Sequence, residues 1–517
     1  MTQKLNRRDL LRGAAAAGAL GTVWPLSESL SPRQAMAAAR DLGVSYDPAP
    51  FTLGVASGDP LPDGVVLWTR LAPEPLALTQ NLPDSVEVEW VVAEDPLLKR
   101  RTAHGKVAAS AAQGHSVHIP VRCLEPGRRY YYRFKALGKT SRVGRTKTAP
   151  VGPVREVRFA AANCQAFHDG FYAAHRGIAG EDLDFVVHLG DYIYEHGQVG
   201  GQHVRDHEGP EVFTLADYRR RHALYKGDPA LRAMHAAHPV FLTWDDHEVA
   251  NDYSGTNPSE PFVTRRAAAY QAYYEHMPLR DGNGVQIYRN RRWGDLLELD
   301  ILDLRQYRSA QNLPDGTILG AAQKAWLKER VDTAGDSWHC WVNSIMLSQL
   351  AKPGGGYYFT DQWDGFRAER AEVLGHVHET GMPDLVVITG DWHSAFVDDV
   401  VADFDQPDAP VIGTEFTAHS ITSGAYSAEW NATNGPVMGG ANPHLKYFEG
   451  NRYGYDVHEV TPRRWSTHMR VIDDRRDPYS PVRTLTTFHV DRGRAGSHED
   501  PATANSPAQY RRRAPSG

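Results

Sequence analysis

Leu183-Asp184-Phe185-Val186-Val187-His188-Leu189 runs straight into Gly190-Asp191-Tyr192-Ile193-Tyr194-Glu195. The first half is dense in apolar, β-forming residues without a helical period, which suits a strand covered on both faces. The glycine then lets the backbone turn sharply, so that the Asp191 carboxylate projects past the strand end. The same design recurs along the chain. Arg158 to Ala162 ends on Asn163-Cys164-Gln165, Val240 to Thr243 on Trp244-Asp245-Asp246-His247-Glu248 with Asn251, and Leu385 to Thr389 on Gly390-Asp391-Trp392-His393. Strands finishing on one edge of a sheet would gather these oxygen, nitrogen and sulfur donors into a single site, where an α/β layer places its chemistry.

Further apolar runs at Leu296 to Leu304 and Trp338 to Leu347, with helical stretches at Arg265 to His276, Ala321 to Asp332 and Phe366 to Glu379, extend this texture. They predict a layered α/β domain with mixed sheets over 154–490. Ahead of it, short alternating runs such as Val65-Val66-Leu67-Trp68-Thr69 and Val86-Glu87-Val88-Glu89-Trp90, separated by Pro and Gly turns, predict a β-sandwich over 45–150. Within it, Leu124 to Arg133 carries the pattern of a tyrosine corner, a structural tie in fibronectin type III-like sandwiches. Cys123 beside it reads as a core residue. Ala149-Pro150-Val151-Gly152-Pro153 is the linker, and the Arg-, Ser-, Ala- and Pro-rich segment 491–517 reads as a disordered tail.

The chain has 517 residues, 41% hydrophobic and 23% charged, enough to bury a sizeable core in two or three domains. Its net charge of -7 argues against a nucleic-acid binder, whose footprint would be basic. Arg7-Arg8-Asp9-Leu10-Leu11-Arg12, a weakly apolar stretch from Gly13 to Trp24 and the small residues Ala35-Met36-Ala37 form an export-signal pattern over 1–37, of the twin-arginine kind that uses the Tat machinery. A periplasmic or secreted protein follows, and no later run is long and apolar enough to span a membrane. The three cysteines, Cys123, Cys164 and Cys340, are too few for a disulfide framework. No Walker-type glycine loop is present, which argues against nucleotide-driven phosphoryl transfer.

The donor types suggest more than one metal. A thiolate and a phenolate beside carboxylate and imidazole favour a transition metal such as iron, whereas an all-oxygen set favours calcium or magnesium. Tyr194, three residues past Asp191, can bring its phenol to the same place. The acids around Asp246 repel one another unless cations or solvent relieve them. Asn251 can offer a neutral carbonyl oxygen to a hard cation, and His247 is placed as a ligand or a general acid. Residues two apart in an extended segment point the same way, so Asp391 and His393 can address one site. Asn343 reads as a buried structural amide, His339, His376 and His378 as surface histidines, and the loop His196 to His207 as a solvated loop or a lid.

Together, the opening Phe51-Thr52-Leu53-Gly54-Val55-Ala56-Ser57-Gly58-Asp59-Pro60, Asn-Cys-Gln, Gly-Asp-Tyr-Ile-Tyr-Glu, Asp-Asp-His-Glu-x-x-Asn and Gly-Asp-x-His resemble the PhoD-like alkaline phosphatase family, a branch of the calcineurin-like metallophosphoesterases. The resemblance implies an exported alkaline phosphatase that uses ferric iron and calcium and hydrolyses phosphate esters through a metal-bound water or hydroxide. It places Cys164, Asp191 and Tyr194 on the iron side, with Asp191 bridging toward calcium, and Asn251, Asp391 and His393 completing the metal set. Asp246 and His247 fall at the catalytic position because their segment is similar to the Asn-His-acid element of the wider superfamily. Substrates would be small-molecule or lipid phosphate esters. Phosphodiesterase or phospholipase D-type activity on the same metal core is the nearest alternative; a non-catalytic exported binding protein is the distant one.

Overall fold

The computed structural model describes residues 48–197, 203–207, 209–257, 259–280 and 286–504. The export-signal pattern at 1–37 lies outside the described residues.

Two sheets stack face to face. The longer has ten strands: His498–Glu499, Val482–Asp491, Arg464–Ile472, Tyr453–Val460, Val157–Ala162, Phe185–His188, Pro239–Leu242, Val55–Leu61, Gly64–Arg70 and Ser116–Val121, in spatial order. The second has seven: Arg289–Trp293, Leu297–Ile301, Trp338–Val342, Leu385–Thr389, Val411–Thr417, Ala395–Val401 and Leu445–Glu449. The strands before the ligand clusters pair in parallel within their sheets.

Side-chain alternation explains why these strands read as unbroken apolar runs. Phe159, Ala161, Phe185, Val187 and Phe241 point inward against Leu297, Leu299, Cys340, Val342, Val386 and Ile388 of the facing sheet. The residues between them, Ala160, Ala162, Val186, Val240 and Leu242, pack outward with Ile178, Leu231, Met234 and Tyr270 of covering helices. On the far side Trp341, Leu385 and Val387 meet Leu327, Val331, Val373 and Leu374 from helices Gly320–Asp332 and Arg367–Thr380. The result is a helix–sheet–sheet–helix sandwich, the layered mixed α/β architecture expected from the sequence.

Register sets the level at which these strands stop. His188 pairs with both Ala162 and Leu242, so three strands end together. Past that line Leu189 N–H donates to Ala162 O at 2.9 Å and Thr243 N–H to His188 O at 3.0 Å. In the other sheet Asn343 N–H donates to Ile388 O at 2.9 Å.

The N-terminal strands form two layers. Ser85–Ala93, Arg101–Ser110 and Arg129–Ala136 belong to a separate five-stranded sheet, whose Val88, Val92, Tyr132 and Phe134 pack on Val55, Val65 and Leu67. The other layer is continuous with the ten-stranded sheet, because Ser57 and Gly58 pair in parallel with Pro239 and Val240. The linker at Ala149 to Pro153 therefore marks a change of texture without interrupting the sheet. The buried Tyr130 hydroxyl accepts Glu125 N–H at 2.9 Å, the bond of a tyrosine corner.

Three expectations need correction. Cys123 is exposed, outside the core, on a left-handed turn (φ +61°) just past the Ser116–Val121 strand. His339 is buried; it lies within the Trp338–Val342 strand, and its Nε2 meets Gly335 O at 3.0 Å. The expected disordered tail at 491–517 does not hold at its start, since His498–Glu499 pair with Val482–Asp491 as a last edge strand. Residues from 505 onward lie outside the described set.

Candidate metal centre

Cys164, Asp191, Asp391 and His393 sit immediately past their strands with backbone φ of +52°, +54°, +67° and +53°. A side-chain-bearing residue pays roughly 1–2 kcal/mol for this left-handed conformation, and such strain collects at functional positions. The turn at Gly190 (φ +115°) is closed to other residues: a Cβ there would lie 2.6 Å from Cβ of Asp245. The Asp391-Trp392-His393 segment is thus not extended, contrary to expectation. It is a tight bend in which Trp392 N–H reaches Gly390 O at 2.9 Å.

The bend places the two candidate ligands, Asp391 and His393, in adjoining groups that share Asp191. In one group the donor atoms of Cys164, Asp191 and His393 all lie within 4.8 Å of one another. Cys164 Sγ is 3.4 Å from Asp191 Oδ2, and the Tyr194 hydroxyl is 2.8 Å from the same oxygen and 3.2 Å from His393 Nε2. Ser423 donates to Tyr194 at 2.7 Å, and His393 Nδ1 is held by Gly424 O at 3.0 Å. In the other group Asp191, Asp245, Asp246 and Asp391 converge within the same 4.8 Å, as do Asp191, Asp246 and His247.

This acid crowding is only partly relieved by protein. Arg305, fully buried, contacts Asp245 and Asp361, approaches Asp246 at 3.7 Å and reaches Asp391 at 4.0 Å. Gln362 donates to Asp391. Glu248 takes the N–H groups of Asp191, Tyr192 and Asp245 at 3.2, 2.6 and 2.9 Å, clamping the two loops together. Asp191 Oδ1, Asp245 Oδ2 and Asp246 Oδ1 remain buried without a hydrogen-bond partner among the described residues. Leaving buried oxygens unpaired is costly, and a cation is the natural partner for such a set.

Electrostatics point the same way. Burial, with Asp246, Asp245 and Glu248 added, drives the Asp191 carboxyl well up against the pull of His247. Burial and Asp245 do the same to Asp391. Burial and the Asp191 charge push the Cys164 thiol and Tyr194 phenol well up. A protein-only pocket disfavours all four anions, and bound cations reverse that balance.

His247 behaves oppositely. Burial would lower its pKa, yet Asp246, Glu195 and Asp191 together raise it well above the ordinary value. Its Nδ1 is 2.6 Å from Glu195 Oε2, and the other Glu195 oxygen accepts Asn251 N–H at 2.8 Å. Burial works against the Glu195 charge too, but His247 holds that carboxyl low.

Cys164, Asp191, Tyr194, Asp246, His247, Asp391 and His393 are therefore brought together. Asn251 is exposed, and it meets Glu195 through its backbone N–H. Glu195, Asp245, Glu248 and Arg305 also line the site; the first three belong to the strand-end clusters, whereas Arg305 does not. Arg305 was within reach of the strand-end rule, standing four residues past Leu297–Ile301. Asn343 is buried with both amide atoms unpartnered among the described residues, at the edge of the second sheet.

The chain is similar to known phosphatases over most of its length. Residues 159–469 match the PhoD-like phosphatase family, and residues 35–150 match the PhoD-like phosphatase N-terminal domain. Alkaline phosphatase D of Bacillus subtilis (strain 168) is 38% identical over 524 residues, covering 95% of this chain and 88% of the relative. A solved structure of PhoD superposes with a TM-score of 0.83 at 38% identity, covering 88% of this chain and 93% of that one. A purple acid phosphatase from yellow lupin shares the fold at 12% identity, with a TM-score of 0.55 and coverage of 87% and 74%. The chain belongs to the PhoD-like phosphatase family, which makes it a phosphoric ester hydrolase.

Proposed function

We propose that this chain is an exported alkaline phosphatase whose centre holds ferric iron and calcium. The observation that carries the reading is the convergence of Cys164, Asp191 and His393 within 4.8 Å, with the Tyr194 hydroxyl against two of them. Thiolate, phenolate, imidazole and carboxylate fit iron, while Asp191 with Asp246 and Asp391 offers the oxygen donors that calcium takes. The unpartnered Asp191 Oδ1 and Asp246 Oδ1 support cations on that side. Asn251 is assigned as a ligand on the family resemblance alone.

When bound, the cations supply charge against the phosphate oxygens and make a water acidic enough to act as nucleophile. The residues do the rest. Asp191 joins the two halves, and the four left-handed turns fix the donors before substrate arrives. His247, kept protonated by Asp246, Glu195 and Asp191, delivers a proton to the leaving alkoxide. Glu195 orients its ring. Arg305 sets the positions of Asp245, Asp246 and Asp361.

Export through the Tat machinery to the periplasm or outside fits a centre that takes its metal while folding and needs a free thiolate in an oxidising compartment. Elemental analysis of native protein, with parallel assays on p-nitrophenyl phosphate, its bis ester and phosphatidylcholine, tests the reading. Iron and calcium with monoester turnover support it. Faster turnover of the bis ester or the lipid moves the assignment to a phosphodiesterase or a phospholipase D-type enzyme. Absence of both metals together with absence of hydrolysis overturns it.

A further inference from the structure

A second donor cluster lies beside this centre and shares no residue with it. His168 and Asp169 follow the Cys164 strand end on a short turn, Phe167–Asp169. His196 and His207 stand on the two limbs of the loop that follows Tyr194, with His203 on the returning limb. The His168 ring is 5.4, 5.1 and 4.4 Å from those of His196, His203 and His207. Two donor triads meet at it, His168–Asp169–His203 and His168–His196–His207, each with its ligand atoms within 4.8 Å of one another.

We propose that His168, Asp169 and His203 bind a late first-row transition-metal ion of the zinc class. His168 Nε2 is 3.6 Å from Asp169 Oδ1, too far for a hydrogen bond. It is close to the edge of about 3.4 Å that a tetrahedral ion with ligand bonds of about 2.1 Å requires. Nδ1 of His203 is buried without a partner among the described residues, and His168, only 5% exposed, turns Nε2, not its own unpartnered Nδ1, toward Asp169. Burial, followed by His196, His203 and nearby arginines, lowers the His168 pKa to about 3, which keeps the ring in its ligating, neutral form. Two imidazoles and one carboxylate suit zinc, cobalt, nickel or copper rather than calcium.

The other triad is the weaker holder of a cation. His207 Nε2 already meets the Tyr225 hydroxyl at 2.9 Å, and the Arg221 guanidinium lies 3.1 Å from it. Arg475 is 3.3 Å from Asp169 Oδ2, which leaves Oδ1 to face His168. The approach of His203 is fixed by backbone: Val204 and Arg205 N–H donate to His168 O at 2.8 and 3.1 Å. Arg205 in turn binds Phe167 O at 2.8 Å and Asp228 at 2.6 Å. A bound ion would pin the returning limb of the loop to the turn after Cys164. The first limb already touches the proposed general acid, with the His196 ring 5.7 Å from that of His247.

Cobalt(II) titration of the chelator-treated full chain, followed by visible absorption and equilibrium dialysis, tests this. The wild type and Cys164→Ser should both take up an equivalent of cobalt displaced by zinc. In His203→Ala and Asp169→Asn its affinity should fall at least about tenfold, since losing a ligand outweighs the 10–100-fold typical of outer-shell changes. His203 is partly exposed, so its truncation should leave the fold intact even where His168→Ala does not. The proposal fails if the wild type takes up no such equivalent, if His203→Ala retains it, or if only Cys164→Ser or His207→Ala abolishes it.

Discussion

The Tyr194 hydroxyl stands 2.8 Å from Asp191 Oδ2 and 3.2 Å from His393 Nε2, so a phenol, a carboxylate and an imidazole from two different sheets share one point. If iron sits there, Tyr194→Phe and Cys164→Ser each remove a charge-transfer donor. Both variants should lose visible colour and at least about tenfold in kcat, with iron content measured alongside. A wild-type spectrum and rate in both would remove iron from the centre.

The ion pair between His247 and Glu195 makes a pH prediction. The Asp246 and Glu195 carboxylates hold the His247 pKa up, so the proton donor persists into alkaline solution and activity is lost only as pH rises through that raised value. Glu195→Gln deletes one of those charges. The alkaline limb of its kcat profile should move to lower pH, while His247→Ala should lose roughly 10²–10⁴ in kcat on alkyl esters. The loss should be smaller for p-nitrophenyl phosphate, whose leaving group needs no proton. Equal losses on both substrates would sink the assignment of His247 as general acid.

Much of this centre was legible because parallel strands buried on both faces give unmistakable runs, and Gly190 and Gly390 mark where they stop. The layered fold followed from the same runs. Local spacing could not show that Cys164, Asp191, Asp391 and His393 would all turn left-handed, since none is glycine. Nor could it show that Ser57 and Gly58 pair with Pro239 and Val240, a contact between distant segments that only the assembled sheet creates. Arg305 leaves no motif in the sequence, because an arginine inside an acid-rich site has no periodicity, only a partner. Asn251, four residues past His247, brings its backbone N–H to Glu195 at 2.8 Å, a contact that no side-chain motif displays.

Asp59 ties the N-terminal strands to the seven-stranded sheet. Its Oδ1 accepts from Arg289 at 2.9 and 2.8 Å, and Arg291 lies 3.4 Å from Oδ2. Burial raises the Asp59 pKa, but Arg289 and Arg291 outweigh it and the net shift is downward. The stabilisation is therefore present above the unfolded value of about 3.9 and lost as pH falls through the lower folded value. Asp59→Asn should cost up to about 3 kcal/mol in urea unfolding at neutral pH, because it strands the partly buried Arg289 and Arg291 charges. Its deficit against wild type should hold above about pH 5 and shrink below about pH 4. A deficit independent of pH would refute the ion-pair account.

Arg305 offers the sharpest link between stability and metal. It is the fully buried cation among Asp245, Asp246 and Asp361, with Arg308 sharing Asp361 from the other side. Arg305→Met keeps the volume and deletes the charge, leaving Asp245 and Asp246 without their arginine partner. Removing one partner of a buried pair costs about 3–5 kcal/mol, and that full loss should appear in protein stripped of calcium. A ligand present at a hundred times its dissociation constant returns about 2.7 kcal/mol. Because extra negative charge tightens a calcium site, the variant should gain more from saturating calcium than wild type does. Denaturant midpoints with and without calcium read the difference directly, and an identical calcium increment in the two proteins would show that Asp245 and Asp246 do not face the bound cation.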